Sequence, residues 1–498
     1  MYWHKALTKL NWCIILNLLG YVLLATACLM VFPLIVSLLY RERVYSSFLL
    51  SIAVTLIVAL PLLCIRAKKT TYFAKDGLIA VGLSWLFVSI CGALPFYLSQ
   101  EIPSFIDAFF ETVSGFTTTG ASILIDVEAL SYGLLFWRSF THWIGGMGVL
   151  VFILALLPKS NERTMHIMRA EAPGPTIGKL VPRLKKSAMI LYLMYMCLSI
   201  IEFFLLCIGG MPLFDALVNT FATAGTGGFA IKSISIAAYD SVYCEMIISL
   251  FMLLFGVNFN LYYFLMIRNY RNVFRDEEMR TYFGIVIAAI ICIAINIYPL
   301  YQSAATCLRY SGFQVASIIT TTGFSSVDFN TWPSFSKIIL LLLMVIGACA
   351  GSTGGGVKVS RIMIIVKKIK LDIQRMIHPQ KVNAVTLNGH IVAEETVNQI
   401  MSFFTCYIII MAFCLLLVSL DNFDIETTIS SVFACLGNIG PGFGLCGPLG
   451  SFAMFSNLSK IILSAAMLIG RLEIYPIIIF LSPLLHRSSI KKGKRRNS

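Results

Sequence analysis

The stretch DAFFETVSGFTTTGAS at residues 107–122 returns without a gap as DALVNTFATAGTGGFA at 215–230, so that Gly228 falls on Gly120. A third copy, FQVASIITTTGFSS at 313–326, puts Gly323 in that place, and a fourth, IETTISSVFACLGNIGPGFG at 425–444, puts Gly440 there. These glycines stand 108, 95 and 117 residues apart, a period that marks an internal repeat. Each copy is a short apolar segment followed by a glycine and Ser/Thr-rich stretch, too short to cross a bilayer. Such a segment is tolerated at membrane depth only when it is buried in protein or lines a wet cavity, so each reads as a re-entrant half-helix and loop.

Longer apolar segments flank every copy. With 58% hydrophobic and 12% charged residues among 498, the chain lies far outside the composition of soluble domains. About 20 apolar residues are needed per span. Ten segments qualify: 14–38, 48–65, 78–98, 134–157, 188–208, 246–266, 282–301, 338–366, 397–420 and 461–485. The first is too long for a signal-peptide core and is read as a span. The expected fold is an all-α polytopic membrane protein: a two-span preface (1–75), then four span/half-helix/loop/span units around a central pore. The units are 76–160, 161–280 with a cytoplasmic linker, 281–380 with a broken second span, and 381–498 with a basic tail.

The net charge of +14 invites a nucleic-acid reading, but its position decides otherwise. Of 38 Lys and Arg, 30 fall in the N-terminus, the tail and four loops that alternate with acidic or neutral ones. That alternation follows the positive-inside rule and puts both termini in the cytoplasm, with lipid and no nucleic acid as the partner. Fourteen cysteines occur without a C-x-x-C pair, which indicates neither a disulfide framework nor a zinc site. Facing His, Asp or Ser/His pairs of a membrane-embedded enzyme are not evident, so no catalytic residue and no organic cofactor are assigned.

A cation leaving water needs its hydration shell replaced, and inward-pointing backbone carbonyls do this where the chain is extended. Glycine permits the necessary backbone, and neighbouring hydroxyls anchor the loop or add oxygens. The candidate cation ligands are therefore Thr118, Thr119 and Gly120; Thr226, Gly227 and Gly228; Thr321, Thr322 and Gly323; and Asn438, Ile439 and Gly440. Helix C-terminal ends would add partial negative charge. Asp107, Asp215 and Glu426 open their half-helices and are expected to cap them.

The eighth span is interrupted by GACAGSTGGG at 347–356, each glycine costing about 1 kcal/mol of helix stability against alanine. An unwound segment is expected there. Gly351–Gly356 superficially matches part of a phosphate loop, but Val357 and Lys358 replace the required Lys-Ser/Thr, and nucleotide binding is rejected. Arg471 lies deep in the tenth span, where a charge demands a wet cavity or a partner; Glu202 is one candidate partner, and Glu473 a poor one. His142 reads as a hydrogen-bonded packing residue. Arg138 and Glu202 carry no assigned role.

Together with TTTGAS, GTGGFA, TTTGFS and GNIGPGFG, the stretches HWIGGMG (142–148), RAEAPGP (169–175), GACAGSTGGGVKVSR (347–361) and GRLEIYP (470–476) make the chain resemble the Trk/Ktr/HKT superfamily of potassium transporters, specifically its Trk-type membrane subunit. The resemblance covers nearly the whole length. It implies K+ as the transported ion, uptake across a bacterial inner membrane, a homodimer, and a cytosolic ring of nucleotide-binding regulatory subunits of the RCK type. It also implies that the glycine-rich loop, with Gly351, Gly354, Gly355 and Gly356, is an intramembrane gate; from its depth in the span, Arg471 is expected to project into the pore near that gate. Glycine at all four filter places goes with potassium preference in this superfamily. The alternative is a sodium-conducting or H+/Na+-coupled transporter of the same fold, and the departure at Ala224 and Gly225 bears on that choice.

Overall fold

The computed structural model describes residues 11–65, 74–148, 184–378 and 383–474, most of them helical. Helices α1 (Trp12–Leu29) and α2 (Val31–Leu39) form one apolar stretch of 28 residues, and α3 (Tyr45–Cys64) returns against it. α1 packs on α3 and on α4 (Ala74–Leu98). Counting α1 and α2 as one, six helices among the described residues are long and apolar enough to cross a membrane, including α7 (Leu184–Ile208), α12 (Glu277–Tyr301) and α16 (Glu394–Val418). Their outward faces remain apolar, as in Leu193, Phe204, Ile291 and Ile409, because lipid rather than water is the surrounding solvent.

Between the long helices lie four short ones: α5 (Phe105–Phe116), α8 (Leu213–Ala224), α13 (Ala304–Ile319) and α17 (Ile425–Gly437). Twelve residues rise about 18 Å, well short of a hydrocarbon core of about 30 Å. These helices are the buried centre of the molecule. Their caps differ from expectation. Ser104, Ser303 and Asp424 accept the first free N–H groups of α5, α13 and α17, and α8 follows Pro212 without a side-chain cap. Asp107, Asp215 and Glu426 sit one or two positions inside the first turn, where they complement the helix dipole but bond laterally to Lys460, Tyr239 and Lys337.

Each short helix is followed by a second helix: α6 (Tyr132–Gly146), α9 (Val242–Phe255), α14 (Ser334–Ile346) and α18 (Asn457–Arg471). The later parts of the 134–157 and 461–485 spans, the RAEAPGP stretch, and much of the basic loops and tail lie outside the described residues. The 246–266 span is not one straight helix. It breaks at Gly256, and α10 (Phe259–Met266) leaves at 92° to α9, its first turn capped by Asn258.

The 338–366 span is broken as anticipated. α14 ends at Ile346, and after a non-helical loop α15 (Val359–Ile377) carries Lys367, Lys368, Lys370, Asp372 and Arg375 well past the expected boundary. α11 (Tyr270–Arg275) precedes α12. One departure from an all-α chain is a small hairpin of β1 (Thr386–Leu387) and β2 (His390–Ile391). Its turn, Asn388-Gly389, has positive φ at both residues and is the tight-turn dipeptide that favours such pairing.

Candidate functional site

All four short helices end in the same way. At their C-termini Thr118, Thr226, Thr321 and Asn438 adopt left-handed backbone, with φ of 54°, 54°, 59° and 56°. Their N–H groups bond back three residues, to the carbonyls of Gly115, Thr223, Ile318 and Cys435. The next N–H, of Thr119, Gly227, Thr322 and Ile439, bonds back five residues at 2.9 Å in every copy. This is a Schellman ending, which normally takes glycine or asparagine at the left-handed position. Only the fourth copy has asparagine. In the other three a β-branched threonine is held where left-handed backbone costs about 1–2 kcal/mol, a strain of the kind that accumulates at functional sites.

One residue further on, Gly120, Gly228, Gly323 and Gly440 return to positive φ, at 82°, 74°, 86° and 100°. A Cβ on Gly120 would stand 2.0 Å from the Gly227 carbonyl oxygen, on Gly228 1.9 Å from that of Thr322, on Gly323 2.1 Å from that of Ile439, and on Gly440 2.7 Å from that of Thr119. The contacts run first to second, second to third, third to fourth and fourth to first. They therefore close a ring, and the twelve residues singled out from the sequence come together in it. A cavity of about 90 Å³ has all four glycines in its wall.

The ring is braced from behind. Buried Glu111 and Arg138 form a 2.6 Å ion pair. Glu111 also accepts from Ile123 N and Ser122 Oγ, while Arg138 donates to the Ala230 carbonyl and lies 3.6 Å over the Phe229 ring. The pair thus ties together the extended chain leaving the first and second glycine segments. A buried charge with such partners is stable; either charge alone would not be. His142 packs edge-on to Phe229, and a side chain on Gly227 would overlap its ring. Neither imidazole nitrogen has a hydrogen-bond partner, so it is a packing residue but not the hydrogen-bonded one expected.

The same closeness explains the departure in the second copy, because a Cβ at Gly225 would lie 2.2 Å from the His142 carbonyl oxygen. The Thr117 and Thr119 hydroxyls meet at 2.8 Å, as do those of Thr320 and Thr322. The second and fourth copies have no counterpart, with Gly225/Gly227 and Gly437/Ile439 in those places.

Residues 347–358 lie against the helix side of the ring. Gly347, Gly351 and Gly356 have positive φ, as glycine allows. A Cβ on Gly354 would be 2.9 Å from the Thr320 carbonyl oxygen, and one on Gly355 2.6 Å from that of Gly437. The loop is well bonded for an unwound segment. The bend between α9 and α10 exposes the Phe255 and Gly256 carbonyls, which accept from Thr353 and Cys349, and Gly351 in turn accepts from Phe259 N. Glu278 Oε1 receives both Ala350 N (2.7 Å) and Ser360 N (3.1 Å), gathering the two ends of the loop on one buried carboxylate. Lys358 Nζ donates to the Gly354 carbonyl.

Arg471 reaches this loop. Its guanidinium donates to the carbonyls of Thr353 (2.9 Å), Gly145 (2.6 Å) and Gly146 (2.9 Å), joining α18 to the loop and to the negative end of α6. The alternative pairing with Glu202 is not formed, since neither oxygen of that buried carboxylate has a hydrogen-bond partner. Glu473 pairs instead with Arg361 on α15. Sequence reading missed Glu278 and the role of Lys358, which there counts only as a mismatch to a phosphate loop. It also missed the Glu111–Arg138 pair, for which two isolated charges in apolar segments were the available signal.

Comparison with known proteins follows the same lines. A family profile described as the cation transport protein TrkH matches residues 45–492. The Trk system potassium uptake protein TrkH of Salmonella typhimurium is 34% identical over 482 residues, covering 95% of this chain and 99% of the relative. The TrkG protein of Escherichia coli is 32% identical over 484 residues with the same coverage. The crystal structure of the potassium transporter TrkH from Vibrio parahaemolyticus superposes with a TM-score of 0.85 at 30% identity, covering 95% of this chain and 99% of that one.

Proposed function

The chain belongs to the TrkH family of cation transport proteins, and from that premise we propose that it takes up potassium ions across a bacterial cytoplasmic membrane. Membership makes it a multi-pass membrane transporter rather than an enzyme. The observation that carries the ion-path reading is the closed ring of four glycine segments, each meeting the next through a backbone carbonyl. In this reading the carbonyls of Thr118 to Gly120, Thr226 to Gly228, Thr321 to Gly323 and Asn438 to Gly440 replace the water of a dehydrated ion. Ten spans, of which 246–266 and 338–366 are broken, and four re-entrant half-helices enclose the path, divided at 75, 160, 280 and 380, with both termini cytoplasmic.

Gly351, Gly354, Gly355 and Gly356 form a gate across the path, and Arg471 places a positive charge beside it that raises the barrier to cations. Supporting this is the contact of Gly354 and Gly355 with the third and fourth filter segments. Assembly as a homodimer and control by cytosolic nucleotide-binding subunits complete the proposal, in keeping with the relatives named as parts of Trk systems.

The test is complementation of a potassium-uptake-deficient bacterium at low external potassium, with Gly120→Ser and Gly323→Ser beside the unmodified chain. Rescue by the unmodified chain and its loss in both variants is expected. Growth indifferent to both substitutions overturns the filter assignment, and isotope uptake in which sodium competes as well as potassium overturns the selectivity.

A further inference from the structure

On the helix side of the ring stand the side chains of the four left-handed residues, all fully buried, and their polar atoms are employed differently. Thr226 Oγ1 turns to the carbonyl of Gly225 in its own segment at 2.6 Å. Asn438 Nδ2 donates to Thr119 Oγ1 and to the Met467 carbonyl, both at 2.9 Å, and its Oδ1 has no hydrogen-bond partner. Thr118 Oγ1 has none either. Of the four, Thr321 is the one bonded to the glycine loop: its hydroxyl oxygen accepts the Gly355 N–H at 2.6 Å. The other tethers named above run to α12, to α18, to the bend between α9 and α10 or, for Lys358, within the loop itself; this one runs to the third of the four segments.

We propose that Thr321 is a positioning residue that latches the glycine loop to the third filter segment, its hydroxyl serving the Gly355 N–H when the loop is seated and a dehydrated monovalent cation when the loop withdraws. The inference rests on reading the ring as a cation path. Three observations point to it. The unpartnered oxygens of Thr118 and Asn438 are buried acceptors of the kind a desolvated cation satisfies, and Thr321 holds the equivalent place in its own segment. Gly355 is seated so tightly, 2.6 Å from the Gly437 oxygen for a would-be Cβ, that its N–H cannot turn elsewhere without the loop moving. The Gly355 N–H that the Thr321 oxygen accepts and a cation bound to that oxygen would both bring positive charge to the same small atom, and so oppose each other. Loop seating and cation binding at this end of the ring are then competitors, and a cation that binds there favours the withdrawn loop by the same factor as withdrawal favours the cation.

The experiment uses the purified full chain in lipid vesicles and follows alkylation of two native, fully buried cysteines by mass spectrometry: Cys349 in the loop and Cys435 in α17. Thr321→Val keeps the branched shape but removes the acceptor. We expect it to speed Cys349 alkylation about three- to tenfold, the range set by one neutral hydrogen bond, with Cys435 still protected. Thr321→Ser restores the unmodified rate. With only an organic cation present, so that no ion occupies the ring, Thr118→Val, altering the corresponding residue without a loop bond, leaves Cys349 unchanged. Replacing an organic cation by potassium at constant ionic strength speeds Cys349 alkylation in the unmodified chain and not in Thr321→Val. An unchanged Cys349 rate in Thr321→Val, a parallel rise at Cys435, or equal acceleration by Thr118→Val overturns the latch. Potassium flux through vesicles of the unmodified chain is measured separately; its absence defeats the proposed function, whereas the alkylation result judges the latch.

Discussion

The four glycine segments are shaped by bonds spanning three to five residues, whereas the loop at 347–358, besides bonds to nearby Val345 and Ile346, hangs on α9, α12, α18 and Thr321, each remote in sequence. Both regions are glycine-rich, yet they are built on opposite principles. A Schellman ending carries its own bonds with it and can be copied four times without change, which suits a part whose oxygens must stay in place. A loop suspended from several partners at about 0.5–1.5 kcal/mol per neutral bond is released by altering a few of them, which suits a part that moves. In the proposed function rigidity is local and mobility is distributed.

The largest effect is expected where the ring has no room. Gly228→Ala puts a methyl group at positive φ and 1.9 Å from the Thr322 oxygen, and should lower potassium uptake into proteoliposomes more than tenfold. Wild-type uptake in that variant would break the comparison outright. Next comes the brace behind the ring. Arg138→Ala leaves the Glu111 charge buried alone and should cost about 3–5 kcal/mol, read as a lower midpoint of thermal unfolding in detergent. A midpoint within a degree of the unmodified protein would mean that the pair is not sustaining the first two segments.

The loop should respond more mildly and in the opposite sense. Glu278→Gln removes a charged acceptor shared by two N–H groups, a change of about 1.5–3 kcal/mol, and should raise flux in the absence of any regulator by roughly tenfold. Arg471→Ala should raise it by a smaller factor, since water can reach part of the freed carbonyls; unchanged conductance and gating would remove Arg471 from the path. The smallest effect sharpens the contrast. Thr118→Gly relieves left-handed strain and should stabilise the fold by about 1 kcal/mol while leaving potassium discrimination no better. Destabilisation would show that the threonine side chain contributes more by packing than its backbone costs.

Much of the site was legible because it repeats. Gly120, Gly228 and Gly323 declare themselves by alignment alone, and Gly440 follows once three are known. The interrupted eighth span was equally plain from Gly347 to Gly356. The caps were misjudged because carboxylates and hydroxyls compete for the same role: Asp107 follows Ser104 by three residues, and the hydroxyl, not the carboxylate, meets the free N–H. The break at Gly256–Asn258 left only a glycine and two nearby asparagines, Asn258 and Asn260, in a largely apolar run, too little to distinguish a bend from a packed helix.

By itself the sequence determined the number of repeats, the length of their apolar segments, and the place where a long helix fails. These are consequences of local backbone preference and of hydropathy over a few turns, and both are written in residue type. Only the tertiary structure decided the cyclic order of the segments, the Glu111–Arg138 pair, and what Arg471, Glu278 and Thr321 hold. The physical reason is that most of their partners are main-chain groups, which every residue carries, so the partner's identity leaves no mark on the sequence until the chain has brought distant residues together.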